Sequence, residues 1–203
     1  MADATVLVVD DDVSFRRAVE RLLRSVGLTA NTFASAQEFL QYELPTGPTC
    51  LVLDVRMPEI SGLELQDLLT AAGFRIPIIF LTGHGTVPVS VQAMKAGAVD
   101  FLQKPCEDQT LLQAVYRALN QAQQTWSDHA ERHTLHQRLQ TLTPREREVL
   151  ALVVTGMLNK QIAAALGMSE KTVKIHRARV MQKMHAVSLA ELVRTSDKLG
   201  IKP

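Results

Sequence analysis

Acidic side chains follow two short apolar runs of the chain. Three consecutive aspartates, residues 10–12, come directly after Thr5–Val9, and Asp54 comes directly after Cys50–Leu53. Carboxylates held close together repel one another strongly at low dielectric constant, and a hard divalent cation with oxygen ligands relieves that repulsion. If the two runs are neighbouring parallel strands, about 4.8 Å apart, these carboxylates meet at one edge of a sheet. The pattern therefore predicts a cation site where the strands end.

A hydroxyl group and an ammonium group follow two further apolar runs. Thr82 ends the run Ile76–Leu81, and Lys104 follows the run Val99–Leu102. A carboxylate beside a divalent cation, flanked by one hydroxyl and one ammonium group, is equipped to accept a phosphoryl group. The cation and both side chains would neutralise the phosphoryl oxygens and hydrogen-bond to them. We therefore interpret this group of carboxylates, with Thr82 and Lys104, as a phosphoacceptor site.

The first 105 residues alternate between short apolar runs and segments with helical spacing. Five runs are too short for a helix and rich enough in β-branched residues for a strand; they are Thr5–Val9, Leu28–Phe33, Cys50–Leu53, Ile76–Leu81 and Val99–Leu102. Ser35 and Ser61 each precede a glutamate by three positions, the spacing of a capping box at a helix start. The alternation predicts an α/β doubly wound, flavodoxin-like fold, with five parallel strands in the order 2-1-3-4-5 and helices on both faces.

The net charge differs between the two parts of the chain. Of its 203 residues, the first 120 contain 9 Lys/Arg and 14 Asp/Glu, a net charge of −5, whereas residues 121–203 contain 13 and 7, a net charge of +6. This contrast indicates two domains, the second with a polyanionic partner. The chain has no run of 18 apolar residues, no signal-peptide pattern and only two cysteines. We therefore expect a cytoplasmic protein without a membrane span or a disulfide framework.

A polar helical segment is predicted between the two domains. Residues 121–140 contain neither Gly nor Pro and become more polar toward their end, which indicates a helical linker between a domain at 1–120 and another at 141–203. Three histidines share one face of this helix: His129, His133 and His136. A metal site is one interpretation of these histidines, and a solvated or weakly packed face is the other.

Capping signals divide residues 141–203 into four short helices. Thr143 precedes Pro144 and Glu146, which gives a capping box with proline at the first helical position, where its missing N–H costs nothing. Ser169 and Ser188 stand at the starts of later helices. This arrangement predicts a small all-α domain of four helices.

The helix predicted after Ser169 is strongly basic. Residues 169–185 contain five Lys/Arg against one acid, Glu170, a net charge of +4. At 100° per residue, three apolar residues fall on one side, namely Val173, Val180 and Met184, and the opposite side contains Lys171, Lys174, Ile175, Ala178 and Gln182. A short helix and a glycine turn precede this helix, which is typical of a helix-turn-helix recognition element. A merely solvated basic face is the alternative.

The motifs of the first domain resemble those of a known family. VVDDD, Asp54 in LDVRMPEISG, Thr82-Gly83 in FLTGHG and Lys104-Pro105 in FLQKP resemble the receiver domain of two-component response regulators, over residues 5 to about 120. The resemblance implies that Asp54 is the phosphoacceptor and that Mg²⁺ is the cofactor, with Mn²⁺ as a possible substitute. The implied metal ligands are Asp11, Asp54, the backbone carbonyl of Arg56 and, through a water molecule, Asp10.

The resemblance also implies contacts for the phosphoryl group. Thr82 and Lys104 would contact it, and Phe101 would be the aromatic residue that turns inward when Thr82 moves; a plain core residue is the alternative for Phe101. Arg56 lies two positions after the acceptor and His84 lies two positions after Thr82. Both can overhang the site, so we expect them to tune the lifetime of the acyl phosphate.

The second domain resembles the LuxR-type helix-turn-helix, from LTPREREVL to SLAELV, over most of residues 141–195. Together, the two domains resemble response regulators of the NarL/FixJ subfamily. Three residues would reach base edges in the resemblance, namely Lys174, Ile175 and Ala178. Better candidates for phosphate contacts are Lys160, Thr172, Arg177, Arg179 and Lys183, and Lys171 lies on the same basic front.

The resemblance implies a transcription factor controlled by phosphorylation. A sensor histidine kinase would supply the phosphoryl group, and the phosphorylated chain would form a homodimer on a duplex DNA promoter site. RNA polymerase is a possible further partner, and no membrane partner is expected. The chain would not be an enzyme, apart from at most a slow autophosphatase activity.

Other interpretations remain open for both regions. A regulator that binds DNA without phosphorylation could use its first domain only as an interaction surface, and the C-terminal helices could bind RNA instead of DNA. Asp11 or Asp12 could simply cap the first helix. The motif VLVVDDDVS also loosely resembles haloacid dehalogenase-type phosphatases, in which Asp10 would be the nucleophile and Asp12 the acid, but only Glu107 and Asp108 follow Lys104 as acids.

Overall fold

The computed structural model describes residues 4–83 and 86–201. The chain divides between Trp126 and Ser127 into two compact units, which we call the N-terminal unit and the C-terminal unit. Among the helices in these described ranges, none is long and apolar enough to cross a lipid bilayer.

The N-terminal unit contains a five-stranded sheet with helices on both faces. Its strands are β1 (Thr5–Val9), β2 (Thr29–Phe33), β3 (Thr49–Leu53), β4 (Ile78–Thr82) and β5 (Asp100–Gln103). Its helices are α1 (Val13–Ser25), α2 (Ala36–Leu40), α3 (Gly62–Ala71), α4 (Val87–Lys95) and the first part of α5 (Asp108–Gln140). All strand pairs are parallel, and the order is β2-β1-β3-β4-β5. The predicted fold and strand order are confirmed.

Both faces of the sheet are buried, which explains why its strands are continuous apolar runs rather than alternating ones. In β1, Val6 and Val8 lie in a core layer with residues of α1 and α5. Leu7 and Val9 point to the opposite layer, which contains residues of α2, α3 and α4. Alternation of side chains along a strand therefore ties β1 to both helical layers at once.

The turn from β1 to α1 separates the three consecutive aspartates. Asp12 is the N-cap of α1, and its carboxylate accepts hydrogen bonds from the backbone N–H groups of Ser14 (2.8 Å) and Phe15 (3.3 Å). The carboxylate of Asp10 instead accepts the backbone N–H of Asp12 at 3.0 Å. The proposed cap therefore accounts for Asp12 alone and leaves the other two carboxylates for a different role.

The C-terminal unit is all-α over its described residues. It comprises the last turns of α5 together with α6 (Pro144–Val154), α7 (Asn159–Leu166), α8 (Glu170–Lys183) and α9 (Leu189–Lys198). Gly167 joins α7 to α8 in the left-handed conformation, with φ of 64°, which glycine adopts without steric cost. The predicted inward side of α8 is confirmed, because Val173, Val180 and Met184 are buried in the core of this unit.

A buried ion pair connects the start of α6 to the end of α8. Glu146 and Thr143 form the predicted capping box, with the Thr143 N–H donating to Glu146 Oε2 at 2.9 Å. The same carboxylate oxygen accepts a hydrogen bond from Lys183 Nζ at 2.6 Å, and Nζ also donates to the backbone oxygen of Thr141 at 3.0 Å. The hydrogen bond from Lys183 lowers the pKa of Glu146, so the carboxylate stays ionised in the core.

Replacement of Glu146 by Gln should destabilise the C-terminal unit in a pH-dependent way. Because Gln cannot pair with the charge of Lys183, we expect a loss of about 1–3 kcal/mol of unfolding free energy at neutral pH. The native pKa of Glu146 is lowered from its usual 4.5. Its contribution is therefore present above that value and is lost as the pH falls through the lower native value. Urea unfolding followed by circular dichroism, with the transition of this unit fitted separately, measures both effects.

The matched control is Glu148→Gln, on the same helix. Glu148 pairs with Arg145 at the surface, and both side chains are largely exposed. We expect this change to cost less than about 0.5 kcal/mol. Equal losses in the two variants, or a Glu146→Gln loss that persists in acid, would contradict the role given to the buried pair.

Candidate functional site

Three carboxylates meet at the carboxyl edge of the sheet. β1 and β3 are in register so that Val9 lies beside Leu53, and the Asp54 N–H donates to the Val9 oxygen at 2.9 Å. The chain therefore leaves the sheet at two neighbouring points, and Asp10 and Asp54 are the first residues after β1 and β3. One carboxylate oxygen each from Asp10, Asp11 and Asp54 lies within 4.8 Å of the others. The predicted convergence of these side chains at the strand ends is what the structure shows.

Lys104 places its ammonium group between two of these carboxylates. Its Nζ donates to Asp10 Oδ2 and to Asp54 Oδ2, the latter at 3.0 Å. The backbone N–H of Lys104 donates to the Thr82 oxygen at 2.8 Å, which fixes the end of β5 to the end of β4. The lysine side chain is only 18% exposed. The ammonium group is thus a positive charge that opposes the carboxylate repulsion at this edge of the sheet.

Burial and ion pairing shift the pKa of Asp10, and likewise that of Lys104, in opposite directions. Burial raises the pKa of Asp10, and the hydrogen bond from Lys104 offsets only part of that effect. Burial alone would lower the pKa of Lys104, but the hydrogen bonds to Asp10 and Asp54 outweigh it, so that pKa is raised. Lys104 therefore remains charged at neutral pH, and a second cation at this edge would favour the ionised form of Asp10.

The remaining residues predicted for this site have different surroundings. Thr82 is buried at the end of β4. Arg56 is exposed, and its backbone N–H donates to Asp54 Oδ1 at 3.2 Å. Phe101 is half-buried, with its ring centroid 6.1 Å from that of Phe80. His84 lies outside the described residues.

The donor set of the acidic cluster fits a hard divalent cation. All three ligand groups are carboxylates, and oxygen ligands are the ones that Mg²⁺ prefers over imidazole or thiolate. Within residues 4–83 and 86–201, this is the one group of three or more His, Cys, Asp or Glu side chains with such spacing. The three linker histidines, which are exposed, do not form such a group: His129, His133 and His136.

The front of α8 is an exposed basic surface. Its exposed residues are those predicted for the outward side, namely Lys171, Lys174, Ile175, Ala178 and Gln182, together with Arg179. Lys160 on α7 is exposed as well. Thr172 is half-buried, and its hydroxyl group is hydrogen-bonded to that of Ser169 at 2.7 Å. A positive helix face of this kind can approach a polyanion without first breaking an internal ion pair.

Two of the predicted phosphate-contacting residues have partners inside the C-terminal unit. Arg177 Nη1 donates to Asn159 Oδ1 at 3.0 Å, which joins α8 to the start of α7. Lys183, whose side chain is 34% exposed, pairs with the buried carboxylate of Glu146, because α6 lies beside the end of α8. Its predicted contact with a DNA phosphate stays a prediction.

Comparison with known proteins agrees with both the acidic cluster of the N-terminal unit and the basic front of α8. The family model of the response regulator receiver domain matches residues 6–116, more than half of the chain. The model of bacterial regulatory proteins of the luxR family matches residues 140–196. Transcriptional regulatory protein FixJ of Rhizobium meliloti is 43% identical over 203 residues, which span all of both chains. The chain belongs to the NarL/FixJ subfamily of response regulators.

Further relatives cover nearly the whole response regulator. Nodulation protein W of Bradyrhizobium diazoefficiens is 52% identical over 198 residues, which cover 98% of this chain and 87% of the relative. The solved structure of the response regulator StyR has a TM-score of 0.88 and 48% identity, and it covers 97% of this chain and 100% of that one. The response regulator therefore combines a receiver domain with a LuxR-type DNA-binding domain.

Two residues beside the acidic cluster were not identified from the sequence as part of the site. The ring centroid of Phe15, on α1, lies 4.1 Å from Lys104 Nζ. A Cβ atom at Gly62 would lie 2.1 Å from the backbone oxygen of Asp54. A glycine at the first position of a helix, where better helix formers are available, was the one sequence signal of that close approach.

Replacement of Gly62 by Ala should disturb the segment that presents Asp54. The added Cβ atom meets backbone atoms that cannot rotate away, so we expect a loss of about 1–3 kcal/mol in the unfolding free energy of the receiver domain. Urea unfolding followed by circular dichroism measures this loss. Gly83→Ala is the control, because a Cβ atom at Gly83 meets nothing within 4 Å and should cost far less. A similar cost at both glycines would contradict the steric argument.

Proposed function

We propose that the response regulator is switched by transfer of a phosphoryl group to Asp54. A partner sensor histidine kinase supplies the group: an Asp54 carboxylate oxygen attacks phosphorus in line, the phosphorus–nitrogen bond of the phosphohistidine breaks, and the imidazole leaves with the electron pair. The observation that carries this proposal is the set of groups around the Asp54 carboxylate. One of its oxygens lies within 4.8 Å of carboxylate oxygens of Asp10 and Asp11. Its Oδ2 atom lies 3.0 Å from Lys104 Nζ. An isolated carboxylate is a weak nucleophile toward a charged phosphoryl group, and this arrangement supplies the compensating positive charge.

The side chains around Asp54 have distinct proposed roles. Lys104 and Thr82 bind the oxygens of the incoming group, since one supplies an ammonium group and the other a hydroxyl group at the same sheet edge. Mg²⁺, for which Mn²⁺ can substitute, supplies further positive charge when bound; Asp11, Asp54 and the Arg56 backbone carbonyl would hold it, with Asp10 acting through water. Arg56 and His84 are proposed to tune the lifetime of the acyl phosphate, and slow autophosphatase activity is the only turnover we propose.

The output of the switch is proposed to be a homodimer. Phosphorylation adds roughly −1.5 to −2 charge beside Lys104, and it biases the surface formed by α4, β5 and α5. Within α4, Ala93 is buried, whereas Val87, Val91 and Met94 are large exposed apolar residues. Exposed apolar residues that share a helix favour self-association. A shift from 1:99 to 99:1 requires about 5.5 kcal/mol of differential stabilisation, which a charged group near a cation can supply.

The dimer is proposed to bind duplex DNA at a promoter and to regulate transcription, with RNA polymerase as a possible further partner. Two α8 helices would enter successive major grooves about 34 Å apart. Lys174, Ile175 and Ala178 are proposed to face the bases. The proposed backbone contacts are Lys160, Lys171, Thr172 and Arg179, with Arg177 in a second role beside Asn159. Because its proposed partners are a kinase and DNA, we propose that the protein works in the cytoplasm. We assign residues 1–120 to the receiver domain, 121–140 to the linker and 141–203 to the DNA-binding domain.

Removal of the Asp54 carboxylate should abolish phosphoryl uptake. We expect Asp54→Asn to incorporate no phosphate from acetyl phosphate and Mg²⁺, whereas Asp10→Asn, which keeps the acceptor, retains a measurable fraction. Asp67→Asn is the control, because Asp67 is an exposed acid on α3. Phosphate-affinity electrophoresis measures incorporation, and a mobility-shift assay on duplexes selected from a random pool measures DNA affinity. Equal DNA affinity with and without acetyl phosphate would favour the phosphorylation-independent alternative.

Loss of basic side chains from the front of α8 should weaken DNA binding in two different ways. Arg179→Ala, at a proposed phosphate contact, should lower affinity for all duplexes and reduce the slope of log affinity against log salt by about 1. Lys174→Ala, at a proposed base contact, should relax sequence preference and cost about 1–3 kcal/mol on the selected site. Lys198→Ala is the control, because Lys198 pairs with Glu131 at the surface. Preferential competition by RNA over duplex DNA would overturn the choice of nucleic acid.

A further inference from the structure

The ring of Phe15 forms a contact with Lys104 that none of the recognised motifs includes. Lys104 Nζ lies 4.1 Å from the ring centroid, within the range of a cation–π interaction. The same ammonium group contacts Asp10 and Asp54. It therefore has two kinds of partner, namely carboxylates on the ends of β1 and β3 and an aromatic face on α1.

Both the backbone and the side chain of Phe15 have contacts that hold the residue in place. Its backbone N–H is one of the two that the Asp12 carboxylate caps, so the ring is one turn from the acidic cluster. Its side chain packs against the core layer that contains Val6, Val19 and Leu23. A ring that packs against the core and whose backbone is held by the helix cap has less freedom than a lysine side chain, so it acts as a platform for Lys104.

We propose that Phe15 is a positioning residue for Lys104 in phosphoryl transfer. This inference rests on the proposed function of the site. In the resting protein, the ammonium group is shared between Asp10 and Asp54; after transfer, one Asp54 oxygen is bonded to phosphorus, so that contact must be replaced by one to a phosphoryl oxygen. The aromatic face, like the Asp10 carboxylate, is a partner that does not change during this exchange.

The surroundings of the ammonium group strengthen this contact. A cation–π interaction is weak in water and gains as the cation is desolvated, and the Lys104 side chain is largely buried. A lysine has four rotatable side-chain bonds, so without the ring its ammonium group would sample positions away from Asp54. The ring therefore increases the fraction of molecules in which Lys104 is ready to meet the phosphoryl group.

A cleft beside the ring makes the idea testable with larger side chains. Phe15 lines a cleft of about 470 Å³ together with Leu22, Cys106 and Leu111. A hydroxyl group on the ring therefore has space, and Phe15→Tyr keeps the aromatic face. Phe15→Leu keeps an apolar side chain but removes that face.

The experiment measures phosphoryl uptake by the full chain from acetyl phosphate and Mg²⁺. Phe15→Leu should lower the maximal rate about two- to thirtyfold, the range of a cation–π contact converted to a rate, with the half-saturating acetyl phosphate concentration unchanged. Phe15→Tyr should restore most of the rate. A third variant carries 3,4,5-trifluorophenylalanine at position 15, which preserves ring shape but weakens the negative ring face, and it should fall between Phe and Leu. A trifluoro variant as fast as wild type would overturn the proposal, since packing alone would then explain Phe15.

A second measurement does not depend on phosphorylation. Acylation of Lys104 by acetic anhydride, quantified by mass spectrometry, should be several-fold faster in Phe15→Leu and in the trifluoro variant than in wild type or Phe15→Tyr. Equal labelling in all four proteins would overturn the proposal. If wild type takes up no phosphoryl group, the proposed function fails, and the labelling rates alone then decide the role of Phe15.

Discussion

Repulsion among three carboxylates at one edge of the sheet is the constraint on which the N-terminal unit depends. Asp10, Asp11 and Asp54 are held together by the adjacency of β1 and β3, which the apolar strands enforce from both faces. Such a cluster is unfavourable by itself, and Lys104 offsets part of the cost from the end of β5. The protein thus maintains an incompletely neutralised negative site, which is the condition for attracting a cation.

The backbone around this site is as constrained as its charges. Asp54 leaves β3 with its N–H bonded to the Val9 oxygen, and α3 begins so close to it that position 62 has no room for a Cβ atom. On the other side, the end of β4 is bonded to the backbone of Lys104. A change in the carboxylate of Asp54 would therefore affect segments with little conformational freedom, which suits the proposed transmission of its chemical state to a surface.

The sequence predicted the strands and the meeting of Asp10, Asp11 and Asp54, because the carboxyl ends of parallel strands share one edge whatever the packing details. It did not predict the contact between Phe15 and Lys104, which joins residues far apart in the chain and depends on how one helix lies over the sheet. The ion pair between Lys183 and Glu146 was not predicted for a similar reason. A helical wheel gives the direction of a side chain around its own axis, but not which neighbouring helix occupies that direction.

The division of labour within the acidic triplet has a consequence for how the site can vary. Asp12 serves α1 through two backbone hydrogen bonds, which a serine or asparagine side chain can also accept. An uncharged residue there would remove one negative charge from the mouth of the site and leave the helix start intact. The negative charge around the site is therefore adjustable at the third aspartate without a change in Asp10 and Asp11, the two carboxylates that meet Asp54.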